Sequence, residues 1–301
     1  MKKNTKGNIL LLITALIWGF AFVAQTSAMD SVRPFTFLGV RFAIGSIILV
    51  PVIFIDRRIK IKKGIDVSAE ADNRKILLVG GVMCGLALFG GSFLQQLGID
   101  NGADTGKAGF LTALYILIVP VFGLFLRKKV GVKIWLCVIA AMIGIYFLSV
   151  KEGFSIGKAD LLLVGCAVVF SVQIMFVDYF APKVNPIKLS AIQFAVVSLI
   201  GLVFGIIFEK PQLGDLLNAA GPILFAGVLS SGVGYTLQVV AQKYTTPAEA
   251  SLIMSLESAF ALLGGIIILH QRPQAREYIG MAIMFASIMI SQIDFGRRVK
   301  K

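Results

Sequence analysis

The sequence predicts an all-α polytopic membrane protein, with ten transmembrane helices arranged as two inverted five-helix repeats. Three observations predict it: long apolar runs dominate the chain, a stretch near its start recurs in its second half, and its connections alternate between rich and poor in basic residues. Apolar residues make up 57% of the 301 positions and charged residues 15%, against roughly 45–50% and about 25% in soluble domains.

The apolar runs approach or exceed the roughly 20 residues with which a helix crosses about 30 Å of hydrocarbon. They place spans at 8–27, 34–55, 76–98, 103–126, 131–150, 160–180, 186–208, 219–242, 247–269 and 276–294. Each span is expected to be helical, because a helix in lipid satisfies its own backbone polar groups. Little length remains for a separate soluble domain.

The repeat begins with PFTFLGVRFAIGS (34–46), which lies over PIKLSAIQFAVVS (186–198) at a shift of 152 residues. Pro34/Pro186, Phe42/Phe194, Ala43/Ala195 and Ser46/Ser198 match, and Arg41 falls on Gln193. The same shift carries Trp18 onto Phe170 and Ala15 onto Ala167. Past the second span the shift becomes 142, matching Gln96/Gln238, Ala108/Ala250 and Leu114/Leu256, because the connection 56–75 is longer than its counterpart 209–218. Such internal similarity governs the fold. Each copy holds an odd number of spans, so the second enters the membrane upside down, the plan of many secondary transporters. Residues 1–150 and 151–301 are the two repeats of one integrated membrane domain.

The net charge is +13. Basic residues crowd the termini (Lys2, Lys3, Lys301) and the segments 57–63 and 127–133, while the alternate connections hold only scattered ones such as Arg33, Lys107, Lys151 and Arg272. The positive-inside rule puts both termini in the cytoplasm of a plasma (inner) membrane. A basic inner face beside anionic lipid accounts for the charge, without nucleic acid. The basic start and first apolar run resemble a secretory signal, but the run takes part in the repeat and reads as a retained span. Cys84, Cys137 and Cys166 fall in apolar runs and read as small buried hydrophobes. With His270 the only histidine, no His-rich metal site and no H-E-x-x-H motif exists, and no phosphate-binding loop is present. No cofactor and no enzymatic constellation is predicted.

Polar side chains recur at helical spacing on four spans. Thr14, Trp18, Ala21 and Gln25 share a face of the first, and Ser231, Tyr235, Gln238 and Gln242 one of the eighth. The third offers Ser92, Gln95 and Gln96, and the fourth Thr105, Thr112 and Tyr115; Gln173 on the sixth is a separate and weaker candidate. Polar groups in lipid need partners. They serve either as hydrogen-bonding glue between helices or as the lining of a solute cavity, and their recurrence on corresponding spans favours the cavity. The candidate lining is Thr14, Trp18, Gln25, Ser92, Gln95, Gln96, Thr112, Tyr115, Gln173, Ser231, Tyr235, Gln238 and Glu257.

Glu257 is the sharpest of these. It lies ten residues after Pro247, about 15 Å along a helix and near the bilayer midplane. A carboxyl withdrawn from water is able to take up a proton, which makes Glu257 the candidate for proton coupling, or it meets a solute's ammonium group; the plain alternative is a hydrogen-bonded structural acid. Its counterpart in the repeat is Tyr115. Arg41, roughly 10 Å from the outer end of the second span, is expected to snorkel to the interface rather than touch a solute. Pro120 can break the helical ladder of the fourth span, and Gly232 and Gly234 loosen the eighth, as hinges or as packing. Gly81/Gly85 and Gly201/Gly205 suit close helix contact.

ALIWGFAFV (15–23), RFAIGS (41–46) and AEASLIMSLESAFALLGG (248–265), within ten spans in two copies, resemble the EamA-type permeases of the drug/metabolite transporter superfamily over nearly the whole chain. The resemblance implies a secondary transporter of small organic metabolites such as amino acids, often an exporter. It also implies alternating access around a cavity lined by spans one, three, four, six, eight and nine. Its partners would be a small-molecule solute and membrane lipids, with protons a possible coupling ion and a monomer or homodimer as the working unit. The alternatives are a passive channel or a lipid-handling membrane protein. Two features depart from the family pattern. Glu257-Ser258 stands where the family often has Glu-Pro, so the acid is kept and the kink is not expected. Arg127, Lys128, Lys129 and Gln271 stand where an acid often follows the fourth and ninth spans.

Overall fold

The computed structural model describes residues 3–64, 73–103, 105–128, 130–149, 157–270 and 272–293, and among these all regular structure is helical. Among the described residues, eight helices are long and apolar enough to cross a membrane: α1 (Thr5–Ala28), α2 (Pro34–Lys62), α3 (Arg74–Asp100), α4 (Thr105–Phe125), α6 (Lys158–Lys183), α7 (Pro186–Glu209), α8 (Ala220–Ala241) and α9 (Pro247–Ile268). The fifth and tenth expected spans are the shorter α5 (Val132–Leu148) and α10 (Ala275–Gln292). Lys2, Lys129, Lys151, Gln271 and Lys301, which entered the charge and family readings, lie outside the described residues.

One expected boundary is corrected. α2 was expected to end near residue 55 and runs on to Lys62. The extension is amphiphilic rather than apolar, held by a 2.7 Å Asp56–Lys60 ion pair one turn apart and by lysines at the helix's negative C-terminal end.

Counterpart helices run in opposite directions against each other. At one end of the α2/α7 pair, Glu209 of α7 meets Thr36 of α2; midway, Ser46 Oγ donates to the Ala191 carbonyl at 3.1 Å; at the far end, Asn185 Nδ2 donates to Asp56 Oδ2 at 3.0 Å. The α5/α10 pair does the same, with Lys133 Nζ donating to the Ser291 carbonyl at 2.8 Å and Arg276 Nε to the Phe147 carbonyl at 3.3 Å. Two copies whose matching helices are antiparallel are related by inversion. The remaining contacts agree: α3 packs on α6 as α8 packs on α1, and α1 packs on α9 as α6 packs on α4.

These pairs close on glycine. A Cβ on Gly201 would sit 2.6 Å from the Gly39 nitrogen, and one on Gly144 would sit 2.7 Å from the Gly280 carbonyl oxygen. Helix axes this close gain backbone-to-backbone dispersion that hydrocarbon solvent cannot offer. On the outside, Ile47, Leu199, Ile206 and Met289 stay about two-thirds exposed, as residues facing lipid do. Cys84, Cys137 and Cys166 are buried and unbridged.

The start of α2 is capped from another helix. Arg33 gives no side-chain cap and Pro34 occupies the first turn, where a missing N–H does no harm. Glu209 supplies the acceptor: Oε1 takes the Phe35 N–H at 2.9 Å, and Oε2 takes the Thr36 N–H and Oγ1, both at 2.7 Å. A carboxylate there also meets the positive end of the helix dipole.

α4 and α9 are each interrupted near their middle, and in the same pattern. α4 divides into Thr105–Thr112 and Tyr115–Phe125, and α9 into Pro247–Met254 and Glu257–Leu269. The bonds at the break tighten to three-residue spacing: Leu114 N to Leu111 O (3.3 Å) and Ile116 N to Ala113 O (2.9 Å) in α4, Leu256 N to Ile253 O and Ser258 N to Ser255 O (both 3.2 Å) in α9. Pro120 is therefore not the cause: its half-helix runs through it, and α9, whose one proline is Pro247 at its start, is interrupted with no proline at the break. Nor does the absence of a proline after Glu257 keep α9 continuous. Ser255 Oγ turns back to the Leu252 carbonyl at 2.8 Å, and Ser258 Oγ reaches across to the Gly109 carbonyl of α4 at 3.1 Å. Hydroxyls that engage backbone carbonyls in this way bend helices.

α8 is wound loosely through its centre, with π-helical geometry over Phe225–Tyr235, the stretch that holds Gly232 and Gly234. A Cβ on Gly234 would lie 2.7 Å from Trp18 Nε1, so the indole approaches bare backbone there.

Candidate functional site

The helices that carry the polar stripes meet around one internal cavity between the two halves. It is lined by Trp18, Phe22 and Gln25 of α1, Arg41 of α2, Gln95 of α3, Thr112 and Tyr115 of α4, Phe170, Gln173 and Ile174 of α6, Ser230, Tyr235 and Gln238 of α8, and Met254 and Glu257 of α9. α5, α7 and α10 contribute nothing to it. The cavity is narrow: the centre of a water molecule can roam through about 30 Å³, space for about two waters. A metabolite enters only if the helices around it shift.

Its floor is built from the two helix interruptions. Tyr115 and Glu257 are the first residues of the second half-helices of α4 and α9, and Tyr115 Oη donates to Glu257 Oε1 at 2.9 Å. Glu257 is 3% exposed. Trp18 and Tyr235 of the lining lie 4.5 Å apart, and Phe42, outside the lining, lies 5.8 Å from Tyr235, centroid to centroid.

Each half adds a chain of polar side chains from its first three helices. In the first half, Arg41 Nη1 donates to Gln25 Oε1 at 3.3 Å and Gln96 Nε2 to the Gln25 carbonyl at 3.2 Å. In the second, Gln238 Nε2 donates to Gln173 Oε1 at 3.1 Å and Gln173 Nε2 to Gln193 Oε1 at 3.5 Å. Gln193 and Gln238 are the repeat counterparts of Arg41 and Gln96. Gln95 Nε2 donates to Thr112 Oγ1 at 3.2 Å.

Of the residues read from the sequence, Trp18, Gln25, Gln95, Thr112, Tyr115, Gln173, Tyr235, Gln238 and Glu257 come together on the cavity, while four stand back from it. Thr14 Oγ1 is shared between the Leu10 carbonyl (3.0 Å) and the Gly234 carbonyl (3.2 Å), tying α1 to α8. Gln96 is taken up by the Gln25 backbone. Ser92 is buried beside Tyr235. Ser231 turns toward Gly45 of α2, where a Cβ would meet its own at 3.0 Å. The Ser231 expectation assumed 3.6 residues per turn; the wider winding of α8 brings Ser230 to the cavity instead, where its carbonyl accepts from Trp18 Nε1 at 3.3 Å. Gln242 likewise serves as glue, donating to the Ile174 carbonyl at 3.0 Å.

Arg41 overturns its expectation. It does not snorkel: it is 1% exposed, lies against the rings of Phe37 and Phe42 at 5.1 and 4.7 Å, and lines the cavity. Phe22 and Met254 carried no polar signal and were missed. Phe170 had one, as the repeat counterpart of Trp18.

This arrangement places paired positions of an inverted repeat around one cavity. The model of the EamA-like transporter family matches residues 5–150 and again 157–292. The chain belongs to the EamA-like transporter family. An uncharacterized transporter of Archaeoglobus fulgidus is 28% identical over 289 residues, covering 96% of this chain and 86% of that protein. The uncharacterized transporter YoaV of Bacillus subtilis is 24% identical over 294 residues, covering 96% and 97%. A crystal structure 19% identical superposes with a TM-score of 0.72 over 95% of this chain and 97% of its own, a likeness of fold alone. This EamA-like protein is thus a multi-pass membrane protein, and its cavity is the candidate site of a transporter.

Proposed function

We propose that this EamA-like protein is a secondary transporter of small organic metabolites, amino acids and related compounds foremost, working by alternating access in the plasma membrane with both termini cytoplasmic. One observation carries the reading: the residues that correspond across the two inverted halves, Tyr115 and Glu257, bond to each other on the wall of a cavity to which both halves contribute. A site on the pseudo-twofold axis is reached equally from either side as one half rocks against the other. Aromatic rings suit an apolar side chain, amides suit polar groups, and Glu257 suits an ammonium group or a coupling proton. The narrow cavity supports a carrier over a passive channel or lipid-handling protein, since a standing pore needs a continuous opening. The halves 1–150 and 151–301 act as one membrane unit, a monomer or homodimer, with the basic face against anionic lipid.

The test is uptake and counterflow of a panel of labelled amino acids in proteoliposomes, with and without a pH gradient. Saturable movement of at least one compound is expected. Non-saturating currents in planar bilayers, without counterflow, would establish the channel reading in its place.

A further inference from the structure

We propose that Arg41 is the anchor for a carboxylate on the transported solute, so that the cavity selects amino-acid-like anions or zwitterions over amines of the same shape. The inference rests on the cavity's being the transport site.

A guanidinium buried in the middle of a membrane helix is expensive unless an anion answers it. Among the described residues none does. The hydrogen bond its guanidinium makes is the 3.3 Å contact from Nη1 to a neutral amide, Gln25. Nε and Nη2 are buried and meet no protein acceptor. The flanking faces of Phe37 and Phe42 favour a cation without neutralising it. Glu257 borders the same cavity, yet its carboxyl is engaged by Tyr115, and no ion pair joins it to Arg41.

The fold does not need the charge. At the corresponding position of the second half stands Gln193, fully buried in the same kind of amide chain. An arginine doing only structural work would have the glutamine's task. What arginine adds is a planar fork whose two parallel N–H groups match a carboxylate, and Arg41 is one of the residues that border the cavity. The two charges sit at different depths. Arg41 lies about 10 Å from the helix end beside Glu209, and Glu257 about 15 Å from the opposite end. Tyr235 is within electrostatic reach of both. A zwitterion laid across Tyr235 would meet a cation with its carboxylate and an acid with its ammonium group.

Three probes with one side chain separate the charges: L-phenylalanine, 3-phenylpropionate, which keeps only the carboxylate, and L-phenylalaninamide, which keeps only the ammonium. The readout is the thermal shift of the purified full chain in detergent, where a ligand of the folded form raises the melting temperature. Phenylalanine and phenylpropionate are expected to raise it and the amide to do so weakly or not at all. Arg41→Gln, the residue the second half carries, should weaken binding of phenylpropionate ~10- to 100-fold, the loss of a charge-assisted hydrogen bond, while leaving the amide unchanged. Should Arg41→Gln not fold, Arg41→Lys keeps the charge without the fork and should bind phenylpropionate more weakly than the wild type. Equal shifts by phenylalanine and its amide, or undiminished binding of phenylpropionate to whichever variant folds, would overturn the carboxylate anchor and leave the transporter reading standing. No shift by any of the three would remove the amino-acid-like reading of the cavity and the anchor together.

Discussion

Tyr115 Oη donates a 2.9 Å hydrogen bond to Glu257 Oε1, and the two residues occupy one position in the two halves of the repeat. Each is the first residue after a helix interruption, so the bond holds four half-helix ends at a common point. A buried hydrogen bond to a carboxyl contributes about 1.5–3 kcal/mol when both partners are present. Tyr115→Phe should therefore lower the melting temperature in the wild-type background and have much less effect where Glu257→Gln has already been made. A double-mutant cycle by thermal unfolding measures the coupling, and additive effects would show that the pair carries no linked energy.

Glu257 is also where a proton gradient would act. Tyr115 Oη donates to its carboxyl, and Tyr235 and Arg41 line the same cavity. Glutamine keeps the shape and the acceptor but holds no exchangeable charge. In proteoliposomes, Glu257→Gln should abolish accumulation driven by a pH gradient while one-for-one exchange of the solute continues. Gradient-driven accumulation that survives the substitution would remove Glu257 from coupling.

Much of this geometry was legible in the sequence because two of its rules are local. Apolar length locates a span, and the match of Pro34 with Pro186 and Gln96 with Gln238 orders the halves. The odd number of spans between matching positions then dictates inversion, and pairs Tyr115 with Glu257 before any contact is known. What was not legible depends on neighbours or on departures from 3.6-residue winding. Ser231 and Ser230 cannot be distinguished without the π-helical turn of α8. The interruption of α9 comes from Ser255 and from Ser258 reaching Gly109 of another helix, where the sequence offers only the absence of a proline. Arg41 looks like a snorkelling residue by its depth alone; it is held inward by Gln25, Phe37 and Phe42.

The cap that Glu209 supplies to α2 predicts a local effect. Glu209 takes the Phe35 and Thr36 amides, 2.9 and 2.7 Å away, and no side chain of α2's own N-cap residue does so. Glu209→Ala should lower stability by about 1–2 kcal/mol, the range for losing an N-cap, and Glu209→Gln by less, since one acceptor oxygen remains. Hydrogen exchange should quicken at Phe35 and Thr36 more than at Ile187, which Asn185 caps independently. Uniform change at both helix starts would mean that the substitution loosens the whole bundle instead.

The crossing of α2 and α7 gives a prediction whose sign opposes helix propensity. Alanine is favoured over glycine inside a helix by about 1 kcal/mol, so Gly→Ala would stabilise if only the helix mattered. At Gly201, however, the added Cβ would stand 2.6 Å from the Gly39 nitrogen, and a backbone atom cannot rotate aside as a side chain can. The two helices must separate, and they are the pair linked end to end through Glu209, Ser46 and Asn185. Overpacking of this kind typically costs about 1–3 kcal/mol. Gly201→Ala should therefore lower the melting temperature, whereas Gly214→Ala, in the short helix Leu213–Asn218 with open space where its Cβ would go, should leave it unchanged or raise it slightly. If the two substitutions had the same effect in thermal unfolding, the close approach of α2 and α7 would contribute nothing to holding the inverted halves together.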